Sequence, residues 1–376
     1  MRVPRGIIKL ASWKQERLRV GLSVRQSPGR FSRRRRSYLA LFAGAIVYLL
    51  LHLGLAGVAA WSRWVRDPVY ADKERKWQKL VSQMSPAAPR IVFLGTSRVA
   101  NGFAAGEAER RLSEIMGCSA AVFNWGLPAT GPVTQYVHFR RLANRGQRID
   151  VLLLEIFPAL VTDGDDHPVE AHFTDAIPWD SSELPLLDRY HFPVASWQHE
   201  RRSLWIAPWW SLRGRIMGRL APSWLPYHQR YDWSRGPDPW GWSPIIDLDS
   251  SAEQRARRVE RARQEYEHRL RHWNVSPFAE RAVRDLLVLA QQHHVRVLLI
   301  WMPEGPSFQR LYSLQARQKM ERWVEKLAAE ADVRVVDCRD WMAEEDFSDG
   351  HHLLPSGAVR WSRRIAEEVL LGVMLE

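Results

Sequence analysis

Three short islands bring together residue types that can carry acyl chemistry. Gly95-Thr96-Ser97-Arg98 follows the apolar run Ile91-Val92-Phe93-Leu94, and Asn124-Trp125-Gly126 follows Ala120-Ala121-Val122-Phe123. Far along the chain comes Asp349-Gly350-His351-His352-Leu353, with Gly357 five residues beyond His352. A serine hydroxyl is a weak nucleophile until a base takes its proton. That base needs an acid to orient it and to stabilise its imidazolium form. Ser97, His352 and Asp349 fit these three roles, and the amide of Ser97 itself can donate to an oxyanion. His351 competes with its neighbour for the base position, but the three-residue step from Asp349 favours His352.

Each island also has a plain structural reading. A serine in a Gly-Thr-Ser turn often only caps a helix, Asp349 can cap the helix that follows, and Asn124 can be a turn residue. What separates the readings is whether the surrounding elements carry the islands to one place. Apolar runs at 90–95, 119–124, 150–156, 295–302 and 332–337 predict buried strands. Helical patterns lie between most of them, at 104–116, 132–145, 277–292 and 313–330, and a last helix is expected over 355–371. Continuous apolar strands alternating with helices predict a three-layer α/β domain with a parallel sheet. Ligands of such sheets bind outside the carboxyl ends of the strands. Ser97 follows the first strand, Asn124 closes the second, and Asp349 and His352 lie in the loop after the fifth. All three islands are therefore expected on one edge.

Residues from about 160 to 276 break the rhythm. Nine of the 19 tryptophans fall between Trp179 and Trp242, among many prolines, and 252–272 reads as a polar, charge-laced helix. This stretch is expected to be an insertion at the sheet's carboxyl edge. Packing into its own core is the plainest role for its tryptophans. Sugar stacking and contact with a lipid surface are the others.

The net charge of +12 is a local matter. Residues 1–36 hold 12 Lys or Arg and one acid, Glu16, which leaves 42 basic and 41 acidic residues in the remainder. A nucleic-acid partner is not indicated; a basic arm next to an apolar span reads as a contact with anionic lipid. From Ser37 to Trp61 there are 25 residues without Lys, Arg, Asp or Glu. A helix of that length, about 37 Å, crosses a hydrocarbon core of about 30 Å. Tyr38 and Trp61 stand where interfacial aromatics belong, and His52 is the polar oddity. Eight Lys or Arg precede the span within 20 residues and six follow it. With Arg33 to Arg36 abutting the apolar run, a cytoplasmic N-terminus and an extracytoplasmic body are expected. Arg35-Arg36-Ser37-Tyr38-Leu39 faintly matches a twin-arginine signal, but the stretch is longer than a usual cleaved signal, so an uncleaved anchor is expected. Residues 62–88 read as a stalk and linker.

Other features carry less. Cys118 and Cys338 make no disulfide framework. Asp163-Gly164-Asp165-Asp166-His167 fits no calcium or zinc spacing and reads as a solvated loop. No phosphate loop or dinucleotide fingerprint is present, so no cofactor and no metal is expected. Arg98 either binds an anionic substrate group or forms an ion pair with Glu107 or Glu155.

On these residues the chain resembles the SGNH (GDSL-like) hydrolase superfamily, in its membrane-anchored extracytoplasmic bacterial branch. Gly95-Thr96-Ser97 stands where that family has Gly-Asp-Ser. Asn124-Trp125-Gly126 is similar to its second block. Asp349-Gly350-His351-His352 with Gly357 matches its Asp-x-x-His block. The likeness covers about 89–160 and 277–376 and leaves the insertion out. It implies a flavodoxin-like fold and ester hydrolysis or acyl transfer through a serine ester. It also implies an oxyanion donor at Ala129 or Gly131, with Asn124 a further candidate. The family's third block supplies an asparagine donor, whereas here the third strand runs into Glu155-Ile156-Phe157-Pro158. Loss of one donor costs about 3 kcal/mol of transition-state stabilisation, which favours a specialised transferase or a slow hydrolase over a broad esterase. The layout is similar to that of the D-alanyl transfer protein and, loosely, of exopolysaccharide acetyltransferase-like proteins.

The expectation is an anchored serine esterase or O-acyltransferase acting on cell-envelope glycan or lipid esters, beside a multi-spanning O-acyltransferase partner. A non-catalytic scaffold of the same fold, binding an envelope polymer or a membrane partner, is the alternative.

Overall fold

A computed structural model describes residues 30–164, 166–225, 238–245 and 251–375. Most of the basic arm lies outside them. The chain divides between Leu51 and His52 into two units. The helix Arg30–Trp61 runs through that division, and its stretch Arg34–Trp61 is long and apolar enough to cross a membrane.

The second unit is built on five parallel strands, β1 (Arg90–Gly95), β2 (Ala121–Gly126), β3 (Val151–Glu155), β4 (Arg296–Trp301) and β5 (Arg334–Asp337), in the order β2-β1-β3-β4-β5. The registers are parallel throughout, with Leu94 opposite both Trp125 and Leu154. The strands are apolar on both faces because both faces are covered. Val92, Leu94, Leu152, Leu154, Val297 and Leu299 point into one core, against residues of the helices Pro132–Asn144, Pro277–Gln292 and Leu314–Ala331. Ile91, Phe93, Val151, Leu153, Leu298 and Ile300 point into the other, against Ala105–Met116 and Pro355–Ile365. The three-layer α/β reading holds, with element ends within two residues for the strands. The order reverses direction at β1, so the crevice beyond β1 and β3 is the place this topology offers a ligand.

Residues 62–88 are not a stalk. The helix Pro68–Ser82 packs its buried Tyr70, Trp77 and Leu80 into the first sheet core. Trp77 meets Phe123 edge-on at 5.6 Å and Tyr70 meets Trp125 at 5.5 Å. The charged residues of this stretch hid an apolar face at helical spacing.

The described residues of the insertion form helices joined by turns, with one isolated bridge between Thr162 and Val275. Trp179, Leu187, Tyr190, Phe192 and Trp197 form a satellite core against Val133 and Val137. Packing is thus the role of some of its tryptophans, while Trp205, Trp209, Trp210 and Trp224 stay exposed. Cys118 and Cys338 are both free thiols.

Candidate active site

The turn that presents Ser97 is held from three sides. Thr96 caps the helix Ser97–Gly102, its Oγ1 accepting from the Arg98 amide at 3.0 Å. The Thr96 amide donates to Glu155 Oε2 at 2.6 Å. From the insertion, Trp242 Nε1 donates to the Asn101 carbonyl at 2.7 Å, and the Ser243 amide donates to the Ala100 carbonyl at 3.0 Å. The helix lies hard against β2, where a Cβ on Gly126 would collide with the backbone of Ala100. As the first helical residue, Ser97 has no intrahelical acceptor for its amide.

The loop after β5 closes through an antiparallel bridge between Phe347 and Leu353. Inside it Gly350 holds φ +89, a left-handed turn that suits glycine. Asp349 Oδ1 accepts the amides of His351 at 3.2 Å and His352 at 2.9 Å, which fixes the carboxylate under the second imidazole. Asp349 Oδ2 then meets His352 Nδ1 at 2.8 Å, and His352 Nε2 meets Ser97 Oγ at 2.8 Å. Burial alone would raise the Asp349 carboxyl, but the histidine charges and the hydrogen bonds from His352 outweigh it and hold the group well below the usual range. An ionised carboxylate only accepts, so Nδ1 carries the imidazole proton and Nε2 is left to accept from the serine hydroxyl. A chain of this polarity can take a proton from Ser97 and later return it to a leaving group.

Of the other expected residues, several are engaged elsewhere. Asn124 is fully buried; its Nδ2 donates to the carbonyls of Val99 and Phe103 at 2.7 Å, and its Oδ1 accepts the Gly126 amide at 2.8 Å. It ties the nucleophile helix to β2 and has no donor left for an oxyanion. The Gly131 amide donates to Glu170 Oε2 at 3.0 Å, within a buried cap that also takes the amides of Val133 and Thr134. It too is taken. Ala129 differs: it is partly exposed and holds φ +58, an unusual state for a residue with a Cβ.

Arg98 is not a substrate ligand. It is 1% exposed, lies 3.6 Å from Glu155 and 3.2 Å from Glu304, and donates to the carbonyls of Met302 and Pro303. Its guanidinium sits over the Phe157 ring at 4.6 Å. The ion pair to Glu155 is as expected, whereas Glu107 pairs with Arg110 and Arg363. Burial pushes the carboxyls of Glu155 and Glu304 upward against the pull of Arg98. Glu304 escaped the sequence reading. The signal for it was an acid just past a buried apolar strand, on the same edge as an unpaired arginine.

His351 is a ring among rings. It stacks on Phe308 at 4.7 Å, meets Tyr266 edge-on at 5.1 Å and touches His352 at 4.0 Å. Burial lowers its pKa to about 3. Tyr266 belongs to the helix Ala252–Arg271, whose Arg258 donates to the Ser348 carbonyl at 3.1 Å. This places the insertion against the sheet's carboxyl edge, beside a cleft of about 280 Å³ that includes Arg263, Ser307, Phe308 and Asp349. Among the described residues, Asp349, His351 and His352 have ligand atoms near enough to share a metal. Yet both nitrogens of His352 are already spent on Ser97 and Asp349. In the loop near Asp163, His167 Nδ1 bonds to the His191 carbonyl at 2.6 Å.

No family profile and no curated protein matches the chain. Among solved structures it is similar to a GDSL-like lipase from Bacteroides thetaiotaomicron, at 10% identity and a TM-score of 0.34, over 81% of this chain and 99% of that one. It is also similar to AlinE4, an SGNH-hydrolase family esterase, at 12% identity and a TM-score of 0.30, over 77% of this chain and 99% of that one.

Proposed function

We propose that this chain is a serine esterase or O-acyltransferase of the SGNH type. In this reading it is held to the cytoplasmic membrane by its apolar helix and works on esters of the cell envelope outside it. The observation that carries the proposal is the unbroken relay from Ser97 through His352 to Asp349, with both links at 2.8 Å. Ser97 Oγ attacks the ester carbonyl as His352 Nε2 takes its proton, and Asp349 stabilises the imidazolium. The Ser97 amide, aided by that of Ala129, receives the oxyanion. Collapse expels the alkoxide, which takes the proton back from His352 and leaves an acyl-serine. Water or a glycan hydroxyl then attacks the acyl group through the same base.

A scaffold without chemistry would have no use for an ionised, oriented relay at a strand end. The experiment that decides is labelling of the purified full chain with a fluorophosphonate, alongside hydrolysis of p-nitrophenyl acetate. The wild type is expected to label and turn over. Ser97→Ala should abolish labelling and lower turnover by about a thousandfold or more. A folded wild-type chain that neither labels nor turns over rules the enzyme out in favour of the scaffold.

A further inference from the structure

The second unit contains an apolar surface that the proposed chemistry does not use. The consecutive helices Val194–Ile206, Pro208–Ser211 and Arg213–Leu220 are joined by tight bends, with the hydroxyls of Ser203 and Ser211 2.9 Å apart, and are called the hairpin below. Its inner side packs Leu204, Leu212 and Ile216 against Leu55, Ala59 and Val65 of the chain that follows His52. Arg63 and Arg66 pair with Asp180, and Arg215 Nε donates to the Arg66 carbonyl at 2.8 Å, which fixes the hairpin to the end of the apolar helix. Its outer side is bare: Ile206 is 76% exposed, Trp210 67%, Leu220 80% and Trp224 78%. Isolated exposed apolar residues are ordinary, but four large ones this bare within one short segment are not.

Three observations select what covers it. His52 Nε2 lies 2.9 Å from the Trp205 carbonyl. A carbonyl only accepts, so His52 donates and satisfies one of the orphan acceptors at the end of the helix Val194–Ile206. A histidine inside an otherwise apolar stretch thus has a use where water is scarce. His52 stands nine residues before Trp61, about 13 Å along a helix. The hairpin therefore reaches back along residues 52–61 to about 13 Å from Trp61, past the interface level of that tryptophan and among the acyl chains. Finally, residues 201–225 hold five arginines and no acid. Arg213 lies over Trp210 at 3.8 Å and Arg219 over Trp64 at 3.2 Å. Tryptophan beside arginine is the composition of a headgroup layer.

We infer that the hairpin Val194–Leu220, with Trp224, is a second, monotopic membrane contact. It seats Ile206, Trp209 and Trp210 in the acyl boundary of the outer leaflet, with Arg213 and Arg219 at the anionic headgroups. This rests on the reading of Arg34–Trp61 as a membrane span.

The test uses the full chain with Cys118→Ser, carrying one new cysteine at Val47, Trp210, Trp224 or Gln318 and labelled with an environment-sensitive fluorophore. Each protein is reconstituted in nanodiscs of phosphatidylcholine and phosphatidylglycerol, with and without phosphatidylcholine brominated near the headgroup end of its chains, or toward their tail end for the mid-span label at 47. Labels at 47, 210 and 224 are each expected to lose emission about twofold to the bromines at their own depth, while the label at 318 keeps it. Quenching at 47 with none at 210 or 224 overturns the inference and leaves the span standing; this is also the outcome if the face docks a membrane protein instead. No quenching at 47 removes the span, and the inference with it.

Discussion

At positions 351 and 352 two adjacent imidazoles are put to different uses by their surroundings. His352 has a hydroxyl on one nitrogen and a carboxylate on the other, whereas His351 is walled in by Phe308, Tyr266 and Phe157. Its Nδ1 lies 3.3 Å from Asp349 Oδ1, but the ring packs as a flat face that shores up its neighbour. His351→Phe should therefore keep turnover within about tenfold, while His352→Phe should lose about a thousandfold or more. The same burial has a sign in pH. With a folded pKa of about 3 against an ordinary 6.5, the unfolded chain binds a proton between these values that the folded chain refuses. The stability contributed by His351 is full above pH 6.5 and is lost as the pH falls. Acidification from pH 6.5 to 5 should cost roughly 2 kcal/mol through this residue. Urea midpoints at the two pH values are expected to converge in His351→Phe; an equal loss in wild type and variant would mean that the ring is protonated in the fold.

The elements that aim Ser97 are the ends of β1, β2 and β3 and the short helix Ser97–Gly102. Close approach is the condition for that aim, and Gly126 supplies it. A Cβ there meets the backbone of Ala100, which cannot rotate away as a side chain can. Gly126→Ala should cost about 1–3 kcal/mol and reduce turnover of an activated ester through kcat more than KM, because the nucleophile shifts from its base. Calorimetry and steady-state kinetics on the same sample would check both. The strands and the relay were legible in the sequence because each rests on a local pattern: a buried apolar run, a serine at a strand end, an aspartate three before a histidine. What was not legible depends on contacts between distant segments. Asn124 looks like an oxyanion donor until its amide is seen to hold Val99 and Phe103. Gly131 looks free until Glu170, 39 residues away, takes its amide. For Arg98 the pair with Glu155 was among the readings, but the second acid, Glu304 from another strand end, was not.

On the scale of the whole molecule, the stretch between the apolar helix and the first strand matters most. Its charges suggest a tether, yet Lys73 is buried with Nζ donating to the carbonyls of Asn124 at 2.9 Å and Gly241 at 2.8 Å, and burial pushes its pKa down to about 7. That one side chain joins the helix Pro68–Ser82, the end of β2 and the insertion. Tyr70 and Trp77 in the same helix are wholly buried against β2. Removing either ring costs about 3–5 kcal/mol, so removing both consumes most of the 5–15 kcal/mol of a typical domain. A chain cut before residue 63 should still give a cooperative thermal transition in mild detergent, since it keeps this helix. A chain cut before residue 89 should show none, and should lose fluorophosphonate labelling with it. If the shorter chain melts cooperatively and labels, the helix is a tether after all.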